Sequence, residues 1–281
     1  MRAFLTLLPD KGPPRQGHRD IRDDIFLHHL DRSVTAVIIS EAAGVLSGLE
    51  AAGALAGTLG LVFETEAEDG REVAANTELV RVSGNPLQVS KAEELLVGAL
   101  SKASGIASAA RKAKMAAGSR CRLVSGGAKK MPHQMKSIVR KAVMDGGLEI
   151  RMLDQPFLYI DKNYVRILGG ITAALETVAP LERPTVIQIR GEFQPIDEEA
   201  VAAARGGAAV IMIDTGESAH IEKVAGALRR YGLRSSVQLA FSGNIGLGDL
   251  PDLCLEDVDA LDVGYAILDA PCLPMRFDVI R

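Results

Sequence analysis

The sequence predicts an α/β fold, a parallel sheet covered by helices, on three observations. From Cys121 onward, short apolar runs ("CRLVS", "FLYID", "TVIQIR", "AVIMID", "VQLAFS" and "ALDVG") alternate with segments of helical character. These runs are apolar at successive positions, the pattern of strands buried on both faces between layers of helices. Composition agrees, because 28 Gly, no Trp and only 4% aromatic residues suit tight helix-on-sheet packing better than a β-sandwich. About six or seven such units are enough to close a barrel, and barrels gather their ligand groups at the C-terminal ends of the strands.

The elements follow in order. Residues 12–33, rich in Pro, Asp, Arg and His, read as a loop or a loosely helical lead-in. Thr35 to Ser40 reads as a strand that turns at Gly44 into a small-residue helix through Gly57. "LVFETEAEDGREVAANTELVRVSGNP" alternates apolar and polar residues around the turn signals "EDG" and "SGNP", which predicts short antiparallel strands. A helix from about Ser90 to Ala117 keeps Leu95, Leu96, Ala99, Leu100, Ala103 and Ile106 on one face. Between the barrel strands, helices are expected over Pro132 to Met144, Val165 to Val178, Asp197 to Arg205 and Glu217 to Tyr231.

Bulk properties narrow the function. A formal charge of −4 without blocks of like charge points away from nucleic acid or an anionic membrane. Cys121, Cys254 and Cys272 lie far apart in the chain and in no metal-ligand spacing, too few for a disulfide framework, so a reducing cytoplasm is expected. The N-terminal "MRAFLTLLPDKGPP" lacks a small-residue cleavage signature and is not read as a signal peptide.

The most informative stretch is "LAFSGNIGLGDLPDL". An apolar strand ends in Ser242-Gly243-Asn244 and a helix is expected to start near Asp249. Glycine lets backbone N–H groups approach an anion, the Ser242 hydroxyl adds a donor, and a helix N-terminus favours negative charge. Gly264 closes the next strand, and two such strand ends late in a barrel make a phosphate cradle, or else ordinary turns. Asp214 ends "AVIMID" and suits a ribose hydroxyl, a metal-bound phosphate or a helix cap. "VSGGAKKMP" places Lys129 and Lys130 after two glycines, as an anion loop or a solvated turn; the spacing is not that of a P-loop. In "YIDKNY", Asp161, Lys162 and Asn163 interrupt an apolar run, which is costly in a buried strand without partners or a ligand. Arg190 also falls at a strand end. His133 and His220 are isolated, and no Ser/His/Asp set or paired His or Cys metal site can be assembled.

In this order the motifs resemble the quinolinate phosphoribosyltransferase family (nicotinate-nucleotide pyrophosphorylase, carboxylating). "EAAGVLSGLEAA", "EDGREVAANTELVRVSGNP", "ALSKASGIASAARK", "IMIDTGESAHIEKV", "LAFSGNIGLGDL" and "VDALDVGYAILDAP" carry the resemblance, over roughly residues 34–281. It implies an N-terminal α/β sandwich domain beside an incomplete, seven-stranded parallel α/β barrel. The corresponding boundaries are 1–117 with 270–281 returning, and 118–269. It also implies a homodimer with sites completed across subunits, and attack of a pyridine dicarboxylate on C1 of phosphoribosyl pyrophosphate, followed by decarboxylation. Mg²⁺ near the pyrophosphate and ribose is implied, with no organic cofactor.

Residue by residue, the resemblance keeps the phosphate end at Ser242, Gly243 and Gly264, with Asn244 for a second Gly, and keeps Asp214. The acceptor end changes. Glu94 stands for a carboxylate-binding Arg, "GAKK" keeps Lys129 or Lys130 but loses an Arg to Ala128, and "EIR" keeps Arg151 and replaces a His by Ile150. Lys-Asp-Asn-His reads Asp161, Lys162, Asn163, Tyr164, and Glu-Val-Glu reads Gln188, Ile189, Arg190. The metal ligands stay unassigned. Glu94 and Asp161 are expected to reverse the local sign of a dicarboxylate pocket, so that a neutral or cationic acceptor suits it better than quinolinate. Two other readings stay open: a non-catalytic paralogue binding a phosphorylated ligand or a partner protein, and a sugar-phosphate barrel enzyme using Lys162 as a Schiff-base lysine.

Overall fold

The computed structural model describes residues 20–280. The reading of the first residues as not being a signal peptide therefore lies outside the described residues, as does the first part of the 12–33 lead-in. The chain runs through β1 (Val34–Ser40), β2 (Gly44–Val45), β3 (Val62–Glu64), β4 (Glu72–Val73) and β5 (Glu78–Gly84). After them come β6 (Arg122–Val124), β7 (Leu158–Ile160), β8 (Thr185–Ile189), β9 (Val210–Asp214), β10 (Gln238–Ser242), β11 (Ala260–Asp262) and β12 (Met275–Ile280).

The first part builds an antiparallel sheet in the order β12-β1-β5-β3, with β2 and β4 paired separately. Its alternation is what the sequence shows: Ala36, Ile38, Val80 and Val82 are buried against Ala52 and Ala56 of the helix Leu49–Leu59. The small-residue helix thus starts later than Gly44, because Gly44 and Val45 form β2. The C-terminal β12 pairs with β1 along its length, from Thr35↔Ile280 to Ser40↔Met275.

The helix expected over Ser90 to Ala117 is a composite. Pro86–Ala92 begins with a capping box on Asn85 and Gln88, a π-helical turn follows at Glu93–Val97, and Gly98–Ala117 completes it. The π turn rotates the face, so Leu96 and Leu100 enter the N-terminal core while Leu95 stays exposed. Beyond Leu100 the same helix changes partners, and Ala103, Ile106, Ala110 and Ala113 pack in the barrel core. Gly105 is required here: a Cβ would sit 2.0 Å from the Pro271 carbonyl oxygen. That close approach lets the returning chain cross the helix, where Leu273 donates to the Ser101 carbonyl and Lys102 donates to the Leu268 and Ala270 carbonyls.

The second part is a parallel sheet in the order β6-β11-β10-β9-β8-β7. Among the described residues it has six strands, and the seventh position holds only a parallel bridge between Val124 and Glu149. The barrel is therefore open between that bridge and β7, which pairs with β8 alone. The strands are apolar on both faces because both are buried. Val186, Val210, Met212, Ala240 and Ala260 fill the interior, while Ile187, Ile189, Ile211, Ile213 and Leu239 face the surrounding helices. The helix expected over Val165 to Val178 is two helices, Lys162–Leu168 and Ile171–Val178. Gly169 and Gly170, at φ 88 and 119, break it, a conformation open to glycine and strained for other residues.

The cysteines, read as too few for a disulfide framework and hence as reduced, nevertheless include one bonded pair. Cys121, just before β6, and Cys254, after the short helix Leu250–Leu253, are joined with Cα atoms 5.4 Å apart across 133 residues. Only the closure of the barrel brings them together, so spacing in the chain gave no sign of it. Among the described residues no helix is long and apolar enough to cross a membrane.

Candidate active site

The C-terminal ends of the parallel strands surround one cavity of about 580 Å³. The turn after β6 brings Gly126, Gly127, Lys129 and Lys130; β7 brings Tyr159, Asp161, Lys162 and Asn163; β8 brings Gln188 and Arg190. Asp214, the Ser242–Asn244 turn, and Asp262, Gly264 and Tyr265 complete the lining. Twelve of the fourteen residues singled out from sequence meet here. Glu94 and Arg151 do not line the cavity. Glu94 sits on the π-helical turn of the N-terminal part, exposed, 3.2 Å from Arg22, and Arg151 is exposed on the segment after the Glu149 bridge.

The turn after β10 explains its residues. Gly243 lies at φ 117 and a Cβ there would meet the Gly216 backbone nitrogen at 2.4 Å. Gly216, at φ 74, is equally constrained by the Gly243 carbonyl, and its N–H donates to the Ser242 carbonyl at 3.1 Å. Two glycines thus let the loops after β9 and β10 touch backbone to backbone. Asn244 takes the left-handed region at φ 56, which Asn tolerates better than most residues. The helix expected near Asp249 is a short 3₁₀ turn, Leu247–Asp249, followed by Leu250–Leu253, too short for a strong dipole.

The charges are paired across strands. Asp214 accepts from the Ser242 hydroxyl at 2.7 Å through one oxygen and from Arg190 at 2.8 Å through the other. Arg190 also donates to the Asp214 carbonyl. Asp161 does not face the cavity as a free carboxylate. The strand ends at Ile160, and Asp161 caps Lys162–Leu168, accepting from the Asn163 and Tyr164 N–H groups at 2.8 and 3.2 Å. With Glu94 outside the cavity and Asp161 held by a helix N-terminus, the expected sign reversal does not arise within one chain. Lys129, Lys130, Lys162 and Arg190 stand against Asp161, Asp214 and Asp262.

A neutral floor lies below these charges. Buried Gln188 donates to the Tyr159 hydroxyl at 2.9 Å and accepts from the Lys162 N–H at 3.0 Å. Tyr159 in turn donates to the Met212 sulfur at 3.3 Å, and the Lys129 ammonium stands 5.6 Å from its ring centre. Burial, reinforced by Asp262 and Asp214, pushes the Tyr159 phenol far above its ordinary range, so it acts as a neutral hydrogen-bonding group.

Sequence reasoning missed Tyr159, Asp262, Tyr265 and Glu199. Asp262 was accessible to it, because "ALDVG" ends a barrel strand as "AVIMID" does. Its carboxyl accepts from the Gly126 N–H at 2.9 Å, and desolvation pushes its pKa up against the pull of that bond and of Lys129 and Lys130. An acid with a raised folded pKa stabilises the fold below its unfolded value near 3.8, and that contribution is lost as pH rises through the folded value. Asp262→Asn, which keeps an acceptor for Gly126, should therefore raise the melting temperature at pH 7. The gain should disappear below about pH 4. A melting-temperature series against pH checks this, and a variant less stable than wild type at pH 7 contradicts it. Glu199 gave no signal, since an acidic first turn of a helix usually faces water. It is 1% exposed and accepts from the N–H groups of Arg190, Gly191 and Phe193 at 3.0, 2.8 and 3.0 Å.

Among the described residues no group of three or more His, Cys, Asp or Glu converges as metal ligands. Both Asp214 oxygens are engaged, whereas Asp161 and Asp262 accept through Oδ1 alone and each keeps Oδ2 without a partner among the described residues. These two cavity carboxylates would fit the one or two that Mg²⁺ takes beside substrate phosphates.

Comparisons with known proteins agree with this arrangement. Over 252 residues the chain is 24% identical to a probable nicotinate-nucleotide pyrophosphorylase [carboxylating] of Archaeoglobus fulgidus, covering 89% of this chain and 96% of that one. The human nicotinate-nucleotide pyrophosphorylase [carboxylating] is 25% identical over 240 residues, 85% of this chain and 80% of its own. Among solved structures, the nicotinate-nucleotide pyrophosphorylase of Ehrlichia chaffeensis superposes with a TM-score of 0.80 at 17% identity, covering 94% and 93% of the two chains. That of Francisella tularensis gives 0.78 at 20% identity, covering 94% and 91%. The model of the quinolinate phosphoribosyl transferase C-terminal domain matches residues 106–278 and that of the N-terminal domain residues 20–104. An open parallel barrel, an antiparallel sheet completed by the C-terminal strand, and these two matches in register establish that the chain belongs to the quinolinate phosphoribosyl transferase family.

Proposed function

We propose that the protein is a phosphoribosyltransferase that joins the phosphoribosyl group of phosphoribosyl pyrophosphate to a ring nitrogen of a pyridine-type acceptor and releases pyrophosphate. The observation that supports it best is the pairing of the Ser242–Gly243–Asn244 turn with Lys129, Lys130, Lys162 and Arg190 around one cavity. A donor with phosphate at one end and pyrophosphate at the other asks for that arrangement. Relatives named nicotinate-nucleotide pyrophosphorylase point the same way.

In this reading the Gly243, Asn244 and Gly264 backbone holds the 5′-phosphate, and the Ser242 hydroxyl gives its one proton to Asp214. Asp214, fixed by Ser242 and Arg190, meets the ribose hydroxyls. The lysines and Arg190 neutralise the leaving pyrophosphate as the C1–O bond breaks. The transition state resembles an oxocarbenium ion, so positioning and preorganised charge supply the rate. No proton need be removed from a pyridine nitrogen, which attacks with its own lone pair. The acceptor lies over the neutral floor of Tyr159 and Gln188, beside Lys129 and Asn163. We read the protein as a homodimer in which exposed Glu94 and Arg151 approach the partner's cavity; light scattering of the purified chain tests the assembly. The non-catalytic and Schiff-base readings find no support in the family match.

Pyrophosphate release is the test, measured with phosphoribosyl pyrophosphate and a panel that includes quinolinate, nicotinate and neutral pyridine carboxamides. Turnover with at least one acceptor is expected. No release across the panel, by protein of normal melting temperature, overturns the reading.

A further inference from the structure

Among the described residues the Lys129 ammonium has no hydrogen bond or ion pair, and it stands over the Tyr159 ring, 5.6 Å from its centre. We propose that this ring face is a cation site, which Lys129 fills in the free protein and the pyridinium fills as it forms, while Lys129 passes to the leaving pyrophosphate. The proposal rests on the donor reading above. An aromatic face carries negative charge density and attracts a cation within about 6 Å of its centre. The Tyr159 hydroxyl accepts from Gln188 at 2.9 Å and donates to the Met212 sulfur at 3.3 Å, so the ring is held in place. With the hydroxyl engaged on both sides, the face is what Tyr159 offers a ligand in the cavity it lines. Asp161, Asp214 and Asp262 line the same cavity and favour positive charge there. Arg190 is paired with Asp214 and Glu192 at 2.8 and 3.3 Å, which largely offsets its own charge.

The reaction creates two charges at once. The ring nitrogen's lone pair forms the bond to C1, the C1–O bond breaks, and its electrons leave on a pyrophosphate oxygen. No proton moves. A neutral acceptor ring thus becomes a cation while the leaving group gains negative charge. Lys129 is exposed and carries its charge on a flexible four-carbon stem, so one movement serves both. It leaves the Tyr159 face for the pyrophosphate, and the pyridinium takes the face. A contact that strengthens as positive charge develops favours the transition state over the bound neutral acceptor. Tyr159 is then a catalytic residue, acting through its ring and not through its hydroxyl.

The test is calorimetric titration of the purified full chain, in Mg²⁺, with pyridine-3-carboxamide and with 1-methylpyridinium-3-carboxamide, a neutral and a cationic form of one ring. Each is titrated with and without saturating inorganic pyrophosphate. With pyrophosphate, wild type should bind the cationic probe about tenfold tighter than the neutral one. Without it, Lys129 holds the face and the preference should fall to about threefold or less. Tyr159→Phe keeps the face and should keep the preference; Tyr159→Leu should lose it, and should lower kcat about tenfold with the donor KM unchanged. Lys129→Met vacates the face and should prefer the cationic probe even without pyrophosphate. This variant decides the matter if melting temperatures show that Tyr159→Leu does not fold. Equal wild-type affinity for the two probes in pyrophosphate overturns this inference and leaves the donor reading standing. A folded Tyr159→Leu variant with the wild-type preference overturns the role of Tyr159, and a Lys129→Met variant that still needs pyrophosphate overturns the exchange. Failure of wild type to bind pyrophosphate at all overturns the donor reading and this one with it.

Discussion

Gly243→Ala should lower kcat/KM for phosphoribosyl pyrophosphate roughly a hundredfold, because it moves the turn that holds the phosphate end. Space and backbone geometry both oppose the substitution. At φ 117 an alanine is strained, and its Cβ would lie 2.4 Å from the Gly216 nitrogen and 2.7 Å from the Gly216 Cα. Both neighbours are backbone and cannot swing away as a flexible side chain would. The loops after β9 and β10 must separate, breaking the Gly216 to Ser242 bond of 3.1 Å. Strain and overpacking together should cost about 3 kcal/mol. For a chain of this size that is a fall of about 6–12 °C in melting temperature. Steady-state kinetics with varied donor and a thermal melt check it. A variant that keeps wild-type kcat/KM would show that the turn does not touch the donor.

Glu199→Ala should be the most destabilising single change in the barrel, at roughly 3–5 kcal/mol. One carboxylate serves three backbone N–H groups, those of Arg190, Gly191 and Phe193, in a site that is 1% exposed. Removing it leaves three donors without an acceptor and opens a cavity at the base of helix Ile196–Arg205. Glu199→Gln keeps one acceptor oxygen but turns an N–H₂ toward a donor, so an intermediate loss is expected. Chemical denaturation measures both, and a loss under about 1 kcal/mol for the alanine variant would contradict the assignment. Since Glu199 fixes the backbone at Arg190, the glutamine variant should also weaken donor binding while folding normally.

Much of the fold was legible in the chain. Parallel strands between two layers must be apolar at successive positions, and that burial wrote β8, β9 and β10 into the sequence almost to the residue. The phosphate turn was legible for a similar reason: positive φ and close backbone approach restrict residue choice at Gly243 and Asn244. Asp161 lines the cavity, but its charge was read without its local partners, because an Asp between a strand and a helical segment is a cap. Leu95 was misjudged because a π turn breaks the regular period. Glu94 was placed in the site by motif order alone; within one chain its carboxylate meets Arg22, 72 residues away in the sequence.

The sequence by itself determined which segments are buried, where the strands end, and that glycine, serine and lysine side chains gather at those ends. These follow from local constraints, hydrophobic period and allowed φ, which act on neighbours in the chain. Only the tertiary structure decided which partner each charge takes. Arg190 with Asp214, Asp262 with Gly126, Glu199 with three backbone groups and Cys121 with Cys254 are all contacts across strands or helices. Electrostatic and hydrogen-bond energies depend on distances of a few ångströms. Closure of the sheet sets those distances, and linear spacing does not.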